Sequence, residues 1–143
     1  MARKGLRLRW HEGNRIELLQ NGDAFFPALY EAIDAAQTSV HLETYIFNLD
    51  QAGQRVLEHL REACQRGVKV RVVVDGFGSA PHADEIGRQL VAMGAQYRIY
   101  RPEPKGFQNL RFNLRRLRRL HRKVAGIGGR IAFLGGINII VDL

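Results

Sequence analysis

Gly67-Val68-Lys69-Val70-Arg71-Val72-Val73-Val74-Asp75-Gly76-Phe77-Gly78-Ser79 is the stretch that decides the fold. Residues 68–74 are nearly continuous aliphatics, broken only by Lys69 and Arg71. That is the pattern of a central strand running parallel to its neighbours, and Asp75 to Ser79 then reads as a loop. Working outward toward the N-terminus, Val56, Leu57, Leu60, Ala63 and Cys64 fall at helical spacing within residues 54–66, ahead of Gly67 as a C-terminal cap. Residues 40–47 alternate and are rich in Val, Ile, Tyr and Phe, predicting a strand, with a loop at 48–53. Residues 25–36 read as a helix with Pro27 in its first turn, and residues 15–19 as a short strand before a turn at 20–23. Toward the C-terminus, a helix over 84–93 capped by Gly94 leads to a strand over 96–100. Strand and helix alternate throughout, so the fold class is α/β, a mixed sheet flanked by helices.

The chain has 143 residues, and domains commonly run to roughly 100–200 residues, so one domain spanning 1–143 is expected. Hydrophobic residues at 45% and charged residues at 25% suit a globular chain and exclude a disordered one or a transmembrane bundle. Apolar runs such as 137–141 are far too short to span a bilayer. The basic opening residues lack the apolar stretch of a secretory signal, which places the chain on the cytoplasmic side. Cys64, the single cysteine, reads as a small core residue. Lys and Arg number 22 against 14 Asp and Glu, a net charge of +8 that calls for an anionic partner. Nucleic acid, phospholipid head groups and a phosphorylated substrate all qualify.

Residues 105–120 form a basic amphipathic insertion. Leu110, Leu114 and Leu117 share one helical face, and Arg115, Arg116, Arg118 and Arg119 surround the other. Two readings stand side by side: a helix on an anionic membrane surface with its arginines at the phosphates, or a basic surface helix packing its leucines on the domain. The interleaved leucines favour lipid over a plain phosphate-backbone binder.

The chemistry lies in residues 121–138, His-Arg-Lys-Val-Ala-Gly-Ile-Gly-Gly-Arg-Ile-Ala-Phe-Leu-Gly-Gly-Ile-Asn. Two aliphatic stretches flank Gly128-Gly129, a pair suited to a tight hairpin turn. On a strand, His121 and Lys123 project from one face, and Asn138, reached through Gly135-Gly136, can fold back over it. An imidazole, an ammonium and an amide around one point suit phosphoryl transfer. The imidazole attacks or carries a proton, while Lys and Asn meet charge on the phosphoryl oxygens. The residue types alone leave open a second reading, in which His121 and Lys123 merely continue the basic run along a solvated edge.

His121-x-Lys123 followed by Gly135-Gly136-x-Asn138 resembles the signature of the phospholipase D superfamily, His-x-Lys-x4-Asp-x6-Gly-[Gly/Ser]-x-Asn. Trp10 to Gly22, the Leu42-Glu43-Thr44-Tyr45-Ile46-Phe47 segment and Gly67 to Ser79 extend the likeness to residues 10–138, closest to the N-terminal half of the bacterial cardiolipin synthases. The resemblance implies a ping-pong phosphatidyl transfer that makes cardiolipin at the inner face of the cytoplasmic membrane. One histidine becomes a phosphohistidine and a second protonates the leaving alcohol. It implies His121 as nucleophile or acid/base partner, Lys123 and Asn138 as phosphoryl clamps, Gly135 and Gly136 as support, and Glu43 as an acceptor for the imidazole. It implies neither a metal nor an organic cofactor. The chain departs from the pattern in two ways: Gly128 stands where the signature has Asp, and only one of the family's two motifs is present. The missing half must then come from a second motif-bearing segment or a homodimer partner. Two other functions fit the same residues: a homodimeric nuclease of the superfamily acting on nucleic acid, and a catalytically dead membrane-binding fragment.

Overall fold

The computed structural model describes residues 9–103 and 118–141. The valine-rich segment forms strand β2 (Lys69–Asp75), where four β-branched residues with stiff side chains favour the extended backbone. It pairs in parallel with β1 (Ser39–Thr44) on one side and with β3 (Gln96–Tyr100) on the other. This is the internal, parallel setting the sequence predicts. A hairpin of β4 (Val124–Ile127) and β5 (Ile131–Leu134) then adds antiparallel to β1, giving the order β3-β2-β1-β4-β5.

Three helices accompany the sheet: α1 (Asn21–Ala35), α2 (Gln51–Gln65) and α3 (Ala83–Ala92). Strand alternation sends Val40 and Leu42 of β1, Val70, Val72 and Val74 of β2, and Ala125 and Ile127 of β4 into one core with Leu29, Ile33, Val56, Leu60, Ile86 and Leu90 of the helices. The opposite face carries Ser39, His41, Glu43, Lys69, Arg71, Gln96 and Arg98, none of them fully buried. Among the described residues every buried side-chain nitrogen and oxygen has a hydrogen-bond partner.

β1 ends three residues before the predicted 47 and α2 starts three before the predicted 54, and two further expectations shift. Residues 15–19 form no strand, and Ile16 and Leu18 are almost fully exposed; their alternation resembles that of a strand, yet no described strand pairs with them. Helix α1 starts four residues before the predicted start at Phe25, so Pro27 falls beyond the first turn. The turn-like Asn21-Gly22-Asp23 is absorbed as that first turn, with Asp23 near the positive end of the helix dipole. Of the 105–120 insertion, residues 105–117, with Arg115 and Arg116, lie outside the described residues.

The Gly128-Gly129 hairpin is present. Both glycines have positive φ, +57° and +69°, and the Arg130 amide donates to the Ile127 carbonyl at 3.0 Å. Two successive positive φ values are the demand of the hairpin turn that matches strand twist, and glycine meets it without steric cost.

Candidate active site

The site is built at the end of the sheet where β1 and β2 finish, the end at which open α/β sheets hold ligands. Strand β2 delivers Asp75 there with 0% exposure. One carboxylate oxygen accepts the amides of Phe77 and Gly78 at 2.8 and 3.0 Å, and the other accepts the Leu120 amide at 2.8 Å. The aliphatic strand thereby ends in a fixed acceptor, and the residue before His121 is fastened to it. Arg119 is also drawn inward. Its guanidinium lies 2.7 Å from Glu103 and 3.8 Å from Asp75, over the Phe77 ring. Arg119 therefore lines the cleft as a paired group and does not project as a free membrane-facing arginine, whereas Arg118 is exposed.

His121 and Lys123 precede β4 and do not lie on a strand, in contrast to the expectation, but their side chains meet. Lys123 Nζ lies 3.2 Å from His121 Nδ1 and 3.5 Å from Nε2, and it donates to the His121 carbonyl at 3.1 Å. Tyr45, one residue past β1, touches both: its ring centroid is 4.9 Å from that of the imidazole and 5.5 Å from the Lys123 ammonium. Asn138 returns to the same stretch from β5, its Oδ1 accepting the Ile46 amide at 3.0 Å. Ile139 bridges in parallel to Phe47, which holds that return in place. Gly135 and Gly136 are exposed in the turn, with open space where a Cβ would stand.

Glu43 is placed differently from the expectation. It lines the same cleft as His121, but its carboxylate pairs with His41 Nε2 at 2.9 Å and with Arg122 at 3.5 Å. Strand alternation explains this: His41 and Glu43 are two residues apart on β1 and share its outward face. The cleft has a volume of about 620 Å³ and is lined by Glu43, Val73, Arg98, Tyr100 and residues 119–122. Arg98, Arg119 and Arg122 make it cationic, a setting that attracts phosphate.

Gly128 sits at the far end of β4 from Lys123. Five residue steps at roughly 3.3 Å each put the backbone at the motif's carboxylate position about 16 Å from that of Lys123. Its loss therefore removes nothing from the cluster around the imidazole. Sequence reasoning missed Tyr45, although the residue stands inside the very segment that carries the family likeness. It also took the Asp75 loop for a plain connection. Among the remaining histidines, His59 bonds Asp34 at 2.6 Å across α2 and α1, away from this cluster.

Comparison with known proteins shows the family and the fold. Residues 29–141 match the family model described as "Cardiolipin synthase, PLD-like domain". The chain is 44% identical over 133 residues to cardiolipin synthase B of Escherichia coli K12, covering 93% of this chain and 32% of that protein. It is 35% identical over 126 residues to the cardiolipin synthase of Clostridium perfringens strain 13, covering 88% and 25%. Among solved structures it resembles Nuc of Salmonella typhimurium, a phospholipase D family member (TM-score 0.59, 22% identity, 80% of this chain and 64% of that one). It also resembles NucT of Helicobacter pylori (TM-score 0.60, 20% identity, 80% and 66%). The fold and site define a phospholipase D-like α/β domain. More narrowly, the chain belongs to the cardiolipin synthase family of such domains, and it spans about a third of the length of the curated relatives it matches.

Proposed function

We propose that this chain supplies one of two active-site halves of a phosphatidyltransferase that makes cardiolipin through a phosphohistidine. The observation that carries the reading is the His121 imidazole beside the Lys123 ammonium, 3.2 Å apart, bordering a cationic cleft. When a phosphodiester enters, Lys123 trades a ring nitrogen for a phosphoryl oxygen. Asn138, whose Oδ1 is held by Ile46, offers its amide hydrogens to another. A histidine nitrogen then attacks phosphorus as the bond to the departing alcohol breaks, and a histidine from the other half protonates that alkoxide. In the second step the same residue takes the proton of the acceptor alcohol. The new P–O bond forms as P–N breaks, and the imidazole is regenerated. His121 serves as either member of this pair. The anionic phospholipid surface is both substrate store and partner, so the protein works peripherally on the cytoplasmic face, with the exposed Arg118 available to head groups.

The test is a trapping experiment on the chain assembled with a second motif-bearing half, using phospholipid labelled at phosphorus. The expected result is a protein-bound phosphate that is acid-labile and base-stable, and that disappears with His121→Ala in one of the two orientations of the reaction. Label acquired from nucleic acid but not from lipid would replace this reading with the nuclease. A fully assembled protein that takes up no label from either would replace it with the inert membrane-binding fragment.

A further inference from the structure

Resting on the phosphoryl-transfer reading of His121, we infer that Tyr45 is a positioning residue: its ring is the wall that sets the His121 imidazole and the Lys123 ammonium relative to one another. Three observations converge on it. The ring contacts both groups, at 4.9 Å between ring centroids for His121 and 5.5 Å from centroid to Nζ for Lys123. The two are otherwise exposed or half-buried side chains in the segment before β4, where long or rotatable groups wander unless packed.

The Tyr45 backbone is itself held, and its ring packs against Gly78. The Ser79 hydroxyl donates to the Tyr45 carbonyl at 2.9 Å, and the Phe47 amide donates to the same Ser79 oxygen at 2.9 Å. Ser79 is 1% exposed, so this clamp is buried. Gly78 closes against Tyr45: a Cβ there would lie 2.4 Å from the Tyr45 carbonyl oxygen and 2.9 Å from two ring carbons. Glycine is required by this close approach and not by its backbone angles, since its φ is not positive. Finally, the next residue's amide holds Asn138. Tyr45 and Ile46 thus tie all three motif side chains to the end of β1. The aromatic face stabilises the ammonium by a cation–π contact, and it packs against the imidazole at an interplanar angle of 47°.

The work is done by the ring and not by its hydroxyl, and this makes the inference separable from simple structural damage. In the isolated chain, the five histidines are labelled and the His121 resonances are assigned by their loss in His121→Ala. With Tyr45→Leu the His121 ring-proton resonances should lose their aromatic ring-current shift while the other four histidines stay put. In the active two-half assembly, Tyr45→Leu should lower kcat roughly 10²-fold, the scale of a misplaced catalytic group, with KM changed only a few-fold. Tyr45→Phe should bring kcat back to within a few-fold of wild type. Gly78→Ala presses on the ring without removing it; should Tyr45→Leu fail to fold, this variant should move the His121 resonances and lower kcat in the same sense. Unmoved His121 resonances in the variants, or a Tyr45→Phe defect as large as that of Tyr45→Leu, would overturn the inference. If His121→Ala itself keeps full turnover, the phosphoryl-transfer reading falls and the spectrum alone judges the placement.

Discussion

Asp75 shows how much of the site rests on a residue that does no chemistry. Its carboxylate satisfies three backbone amides, from Phe77, Gly78 and Leu120, while fully buried. Asp75→Ala would strand those donors and leave Arg119 with Glu103 as its remaining acidic partner. Losses of this type cost about 3 kcal/mol. Urea unfolding should register a drop of that size, and a change under about 1 kcal/mol would show that the amides find other acceptors. His121 is the opposite case, exposed and tethered on one side. His121→Ala should leave urea unfolding close to wild type while abolishing turnover in any active assembly, because the covalent or proton-transfer step needs that imidazole. Turnover within a few-fold of wild type would remove it from the mechanism. At this scale the sequence marks the candidate reacting groups and is silent about those that hold them. His-x-Lys is legible because the motif is short and local, although its residues lie just before β4 and not in it, whereas the Asp75 to Leu120 bond joins residues 45 positions apart. Nothing at either end of that bond marks its partner.

The elements divide along the same line. β2, α2, α3 and the β4–β5 hairpin could be read in advance because each is announced by a short-range signal: valine runs, helical spacing, a pair of glycines. The segment at 15–19 could not, since the alternation of Ile16 and Leu18 describes a strand without naming what it pairs with. The hairpin allows a direct check on the departure from the family signature. Gly128→Asp reinstates the carboxylate at a left-handed position that Asp tolerates at a cost of about 1 kcal/mol. Melting should fall by about 3 °C, and turnover should stay within a few-fold, given the span of β4 between residue 128 and the reacting pair. A large gain in activity would mean that the carboxylate reaches the site. On α2, burial pushes the Cys64 thiol up from its ordinary value. A raised pKa leaves less thiolate at neutral pH, so alkylation should be slow in the native chain, accelerate as pH rises, and become fast once urea exposes the helix. Rapid labelling at neutral pH without denaturant would contradict the packing of α2.

For the whole molecule, one motif sits at one end of one mixed sheet, and the helices' buried side chains meet the strands on one face. No described helix is long and apolar enough to cross a membrane. The +8 charge nonetheless predicts attraction to anionic vesicles, with binding that weakens as salt rises. Equal binding to neutral vesicles, or tighter binding to DNA than to lipid at physiological salt, would point to the nuclease. The central claim is that this chain is half of a site. His121 cannot attack phosphorus from one side and protonate the departing alkoxide on the other, and among the described residues its ring contacts are Lys123 and Tyr45, neither of them a second imidazole. Activity should therefore require two halves, from a two-fold homodimer or from a second motif-bearing segment. The decisive measurement follows phosphatidyl transfer and phosphodiester hydrolysis across a dilution series, with mass read by light scattering on the same samples. Specific activity should vanish as the sample becomes monomeric and return when a second half is added. Constant specific activity in a strictly monomeric sample would show that one motif suffices.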